Sequence, residues 1–290
     1  MSKFYSKLFA CLSLLLVSSL FTAVEVKADD PKPEEIVAKH LDSIGTQEKR
    51  AAVKNQMAVG TAQFSVLKSA AFTRGKRAIG AAVILSEGSK MFLGAKYEAP
   101  EYPFDEILFD AKSVNVPFTP SGNRPLLGEL ILKHRYLVSE GLLGGAISTG
   151  WSLFDLTARQ AKIKGGGKKK IDGRQTYAIN YIIKGSSAFS VKLFFDAETF
   201  QHVRTEYQQV FSAPMGATMR DSAQQKQTVQ KMTEEFSNFK EANGLTLPHT
   251  YRLNYLDDGN TTSEFEWNFE FREYLHNQKI DAASFEMKQN

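Results

Sequence analysis

The chain is 290 residues long, with a formal net charge of +4 and one cysteine, Cys11. That length holds one large β domain or two smaller ones. The near balance of charge gives no case for a nucleic-acid or anionic-membrane partner, and a lone cysteine excludes a disulfide framework and a thiolate metal site.

Residues 1–28 have the pattern of an export signal. Lys3 and Lys7 precede an apolar run over 8–23, and Ala28 offers a small residue at the cleavage point. The most apolar part, 12–21, is short for a membrane span, which needs about 20 residues. Cys11 stands near the start of this run, whereas a lipid-modified cysteine would stand at its end. The expectation is an exported chain with a cleaved signal, no stable span afterwards and a periplasmic location. Losing Lys3, Lys7, Lys27 and Glu25 lowers the net charge by two, to +2, and leaves no thiol.

Next comes a short amphipathic helix. Pro33, Glu34 and Glu35 suit its first turn, Ile36, Val37, Leu41 and Ile44 form an apolar stripe, and Gly45 can stop it. From Asn55 the apolar period moves towards two, predicting strands over 57–66, 77–85, 90–97 and 106–114. Pro117, Pro120, Gly122 and Pro125 then break the pattern, and Leu126, Leu127, Leu130, Ile131 and Leu132 recur at helical spacing. Leu142 and Leu143 follow, flanked by Gly141, Gly144 and Gly145. This predicts a helical insertion near 122–148 in an otherwise β domain over 29–290. It reads either as a packing helix or as a lid with glycine hinges.

Strands are expected to resume from Trp151. Gly165–Lys170 lacks the Ser or Thr and the following helix of a phosphate loop, and reads as a solvated hairpin turn. Its three lysines would guard a strand edge, or else meet lipid phosphates or an acidic partner. Tyr177, Ile179, Tyr181 and Ile183 line one strand face, and Phe189, Val191, Leu193 and Phe195 line the next. A strand over 202–210 and a long loop over 213–225 follow. Further strands over 229–240 and 245–255 are joined at Asn243-Gly244. The cleanest strand is 264–272, where Phe265, Trp267, Phe269 and Phe271 alternate with charged or polar residues, so all four aromatics share one face. Such a face is either core or the wall of an apolar cavity.

The stretches Ile171-Asp172-Gly173-Arg174, Leu193-Phe194-Phe195-Asp196-Ala197-Glu198-Thr199-Phe200, Glu235-Phe236-Ser237-Asn238-Phe239-Lys240 with Asn243-Gly244-Leu245-Thr246-Leu247-Pro248-His249, and Lys279-Ile280-Asp281-Ala282-Ala283-Ser284-Phe285 carry a resemblance. In them the chain resembles the bacterial outer-membrane lipoprotein carrier and sorting (LolA/LolB-like) superfamily over about 171–287. These motifs are turns and strand starts, so they speak to fold more than to activity. The resemblance implies a mainly β fold with helices (α+β). A strongly curved antiparallel sheet would form an incomplete barrel, with helices covering its concave face. In the carriers that cavity accepts lipoprotein acyl chains. The residues expected to wall it here are Tyr177, Tyr181, Leu193, Phe195, Leu247, Tyr251, Leu253, Phe265, Trp267, Phe269 and Phe271. The lid would carry Leu126, Leu127, Leu130, Ile131, Leu142 and Leu143.

Catalytic signals are missing from the sequence. The five histidines, His40, His134, His202, His249 and His276, have no metal-ligand spacing, and no Gly-x-Ser-x-Gly occurs. His249 shares a strand face with Leu247, Tyr251 and Leu253 and reads as a hydrogen-bonded core residue. Asn260-Thr261-Thr262 reads as turn chemistry. The expectation is non-catalytic binding or carriage of a lipid acyl chain or lipoprotein, with no cofactor, no metal and an envelope protein as a further partner. The alternative is a protein-interaction or sensory module whose cavity is filled by its own side chains.

Overall fold

The computed structural model describes residues 30–70, 74–183, 189–211, 227–259 and 261–287. The expected signal segment, the expected loop at 213–225 and Asn260 lie outside these residues. Pro31–Asn290 form one compact unit.

Helix α1, Pro33–Ile44, follows its sequence signals: proline in the first turn beside Glu34 and Glu35, and Ile36, Val37, His40 and Ile44 buried. A six-residue helix α2, Gln47–Ala52, was not foreseen; Thr46 caps it by accepting a hydrogen bond from the Lys49 amide. The strands are β1 Asn55–Lys68, β2 Arg77–Glu87, β3 Lys90–Tyr97, β4 Phe104–Phe109, β5 Val114–Asn115, β6 Lys162–Ile171, β7 Arg174–Ile182, β8 Phe189–Asp196, β9 His202–Phe211, β10 Thr228–Ala242, β11 Leu245–Asp258 and β12 Thr262–His276.

All twelve belong to one antiparallel sheet in the order β5-β4-β3-β2-β1-β12-β11-β10-β9-β8-β7-β6. Two meanders, β1 to β5 and β6 to β12, are thus joined where the first strand pairs with the last. The sheet is not closed, and β5 and β6 are its two edges. Gly60 lets β1 approach β12 closely, since a Cβ there would lie 1.9 Å from the carbonyl oxygen of Glu270.

Residues 116–161 run from one edge strand of this sheet to the other. They hold helix α3, Leu126–Lys133, helix α4, Tyr136–Ser139, and two 3-10 turns, Gly145–Ile147 and Ser152–Phe154. Strands therefore do not resume at Trp151, which is buried within the connection; pairing restarts at Lys162. The strand expected over 106–114 is split, because the Asp110 carboxylate accepts the amides of Lys112 and Ser113 and turns the chain between β4 and β5. Gly165–Lys170 is not a hairpin turn but the body of β6. The turn lies beyond it, at Asp172-Gly173.

One face of the sheet is largely apolar across its central strands. On β12, β11, β8 and β7 it carries large side chains, and on β1, β2 and β3 it mixes small ones, Ala58, Ala62, Ala78, Ala82 and Ala95, with large ones, Phe64, Ile84, Met91, Leu93 and Tyr97. Buried residues of α1 and of the connection, among them Leu127, Ile131, Leu137, Leu143 and Trp151, join the same hydrophobic cluster.

Candidate functional site

Alternation on β12 is as clean in space as in sequence. Phe265, Trp267, Phe269 and Phe271 are at most 5% exposed, while Glu270 and Arg272 on the other face are exposed. Pairing places Leu253 beside Trp267 and Tyr251 beside Phe269, and the Tyr251 and Phe269 rings stack 5.4 Å apart. Leu247, Tyr181, Leu193 and Phe195 are buried on the same face, and Tyr177 is half-buried. Leu127, Leu130, Ile131, Leu142 and Leu143 of the connection are buried too, with Leu126 half-buried. Neighbouring side chains fill this face.

Two carboxylates lie inside it. Glu234 on β10 falls at the same strand parity as Met232 and Phe236, and is fully buried. It accepts hydrogen bonds from the Tyr207 and Tyr251 hydroxyls and, at 2.7 Å, from the amide of Gly144 in the connection. Asp105 on β4 falls at the parity of Ile107 and Phe109. It accepts from Tyr97 at 2.9 Å, Tyr102 at 2.7 Å and the Trp267 indole at 2.9 Å. Glu234 thus ties the connection to the sheet at Gly144, and Asp105 ties β4 to β12 through Trp267. Burial pushes the Glu234 pKa up to about 7 and that of Asp105 up to about 6, against the opposite pull of these donors.

A third tie joins α1, the connection and β9. The His40 ring donates from Nδ1 to the carbonyl of Phe200 and accepts at Nε2 from the Trp151 indole, 3.2 Å away. His202 stacks on Trp151 at 5.0 Å and bonds the Thr205 hydroxyl. Burial holds His40 down at about 4 and His202 well below the ordinary imidazole value, so both are neutral. His249 bonds the carbonyl of Phe271 through Nδ1, and its Nε2 meets no partner among the described residues. No group of three or more His, Cys, Asp or Glu among the described residues is arranged to hold a metal ion.

Open volume remains at one end of the filled face. A cavity of about 490 Å³ lies between α1, α2, the 146–149 turn and the start of β11. Leu41, Ile44, Val53, Phe154, Leu245 and Leu247 give it apolar walls, and Arg50, Gln47, Gln56 and Thr149 give it a polar part. Of the residues expected to wall a cavity, Leu247 lines this one. The Arg50 guanidinium donates to the carbonyls of Leu41 and Gly45, and Gln56 donates to those of Ala146 and Ile147. A second hollow, of about 520 Å³, is lined only by residues of 59–106 and is bordered by no helix.

Arg50, Gln56, Asp105 and Glu234 were not anticipated. For the two acids the signal was present, as a charge standing at the apolar parity of a strand. For Arg50 and Gln56 it was not, because their partners are backbone carbonyls that the fold brings near.

No family model matches the chain, and no curated protein matches it. Among solved structures, it is similar to a LolA superfamily protein from Nitrosomonas europaea, at TM-score 0.46 and 14% identity, over 89% of this chain and 99% of that one. It is similar also to a DUF1329 family protein from Desulfovibrio piger, at TM-score 0.46 and 11% identity, over 87% and 96% of the two chains. A domain from Vibrio parahaemolyticus assigned to outer membrane lipoprotein sorting gives TM-score 0.45 and 10% identity, over 86% and 97%.

Proposed function

We propose that the chain binds, without catalysing a reaction, an acyl chain of a lipid or lipoprotein in an envelope compartment. In this reading the sheet curls as an incomplete barrel and α1 and the connection cover its concave face; the leucines of 126–143, expected as a lid, do not line the cavity, which α1, α2 and the 146–149 turn border instead. The observation that carries the reading is the 490 Å³ cavity, whose size falls within the roughly 300–1,000 Å³ of small-molecule sites. Its apolar walls suit a hydrocarbon chain, each buried methylene contributing about 0.8 kcal/mol. Arg50, Gln47 and Thr149 at the polar part suit the head group of an amphiphile.

Ala51 is exposed on α2 yet lines the cavity, so Ala51→Trp adds bulk there without disturbing the packed face. Displacing about two methylenes of ligand weakens binding roughly tenfold. A fluorescent fatty acid titrated into the two proteins reads this directly; equal uptake by both removes the cavity as the site. One observation favours a second reading, a protein-interaction scaffold: the aromatic face is filled by the chain's own side chains. No uptake of fatty acid by the parent protein would leave that second reading standing.

A further inference from the structure

The small net charge conceals a strong local one. Between Asp155 and Asp172 the chain has no acid, while it carries Arg159 and Lys162, Lys164, Lys168, Lys169 and Lys170. The five lysines all lie on β6, all are exposed, and β6 is an edge of the sheet. Lys169 pairs with Glu206 at 3.4 Å and lies over the Phe194 ring, and Lys168 lies over the Tyr177 ring. Lys162, Lys164 and Lys170 form no ion pair among the described residues.

A bulge distributes these charges. Gly165 pairs with Ile179 and Lys168 with Tyr177, so Gly166 and Gly167 stand opposite Ala178 alone, and Gly167 takes a φ of 75°. The extra residue reverses parity along the strand. Lys162, Lys164 and Lys169 therefore lie on the face of Asn180 and Thr176, and Lys168 and Lys170 on the face of Tyr177. Cations flank the edge on both sides. Ile182, paired with Lys162 and 36% exposed, adds an apolar residue among them.

We propose that the β6 edge docks the protein on an anionic phospholipid bilayer. An acidic peptide added as a further strand is the other occupant that such an edge could take, but the geometry disfavours it. Strand addition needs an unbroken row of backbone groups, and the bulge and the flanking lysines interrupt that row. Lipid phosphates need no register, and they meet lysines projecting from both faces of an edge as readily as from one. This inference is independent of the acyl-binding reading, since it uses neither the cavity nor the residues around it.

The test is co-sedimentation with phosphatidylcholine vesicles with and without phosphatidylglycerol, using protein from the soluble envelope fraction of an exporting host. The protein sediments with the anionic vesicles at low salt and is released as salt is raised. Each lysine near an anionic surface contributes roughly fivefold, so the triple variant K162Q/K164Q/K170Q partitions about 100-fold more weakly. These side chains are exposed, so its circular dichroism and melting temperature match the parent's. Equal binding to both kinds of vesicle, no binding to the anionic ones, or undiminished binding by the triple variant overturns the proposal. Poly-glutamate binding without vesicle binding overturns it in favour of an acidic protein partner. Vesicle docking without fatty-acid uptake would keep this surface and remove only the acyl-binding reading.

Discussion

At the residue scale the molecule turns on titratable groups enclosed in an apolar face. Glu234 and Asp105 bind protons more tightly folded than unfolded, so their contribution is full below about pH 4 and is lost as pH rises through 6 to 7. His40 acts in the opposite sense: its contribution is present above about pH 6.5 and is lost as pH falls towards 4. Glu234→Gln therefore gains stability relative to the parent between pH 5 and pH 8, by at most about 3 kcal/mol. His40→Gln gains in the other direction, and thermal melts across that range check both slopes. Trp267 supplies a second test, because it is fully buried and its indole donates to Asp105. Trp267→Glu removes about 3–5 kcal/mol of packing and sets a second carboxylate beside the first, so the variant does not fold. Glu266→Lys, on the opposite face, changes stability by about 1 kcal/mol or less. Period-two alternation made this difference of faces legible. The buried acids were harder to read, because the tyrosines that make room for Glu234 come from β9 and β11 and so lie 27 and 17 residues away.

At the element scale the connection from β5 to β6 is the distinctive part. Its hydrogen bond to Glu234 fixes it at Gly144, and Gln56 of β1 fixes its 146–147 turn. Gln56→Ala leaves two buried carbonyls without a donor, a loss of about 1–3 kcal/mol. The expected readout is faster hydrogen exchange at the amides of 144–150 with α1 unchanged; unaltered exchange there would mean that Gln56 does not hold the turn. The leucine spacing of α3 announced its helix and Pro125 its start, but not its end at Lys133, eight residues before Gly141. The limits of α1, of β3 and of the β10–β11 joint at Asn243-Gly244 were legible too, whereas those around β5 and β6 were not. Glycines and lysines in succession resemble a turn locally, and only the pairing of Lys168, Lys169 and Lys170 with β7 keeps 165–170 in a strand. The split between β4 and β5 depends on a single side chain, Asp110, accepting two amides.

At the scale of the whole molecule, a twelve-stranded open sheet shares one hydrophobic cluster with α1 and its own connection and leaves about 490 Å³ unfilled beside it. That economy of space separates the two functions the sequence allowed: a filled face suits a scaffold, and the residual cavity suits a ligand. Strand patterns alone could announce an apolar face but not its occupancy, which is set by side chains from residues 116–161 packing across strands distant in sequence. Mass spectrometry of organic extracts, taken from protein purified natively from its own host, tests the acyl-binding account most directly. The account predicts an acyl-bearing lipid in stoichiometric amount, depleted in Ala51→Trp. Lipid-free protein that also takes up no fluorescent fatty acid would contradict it.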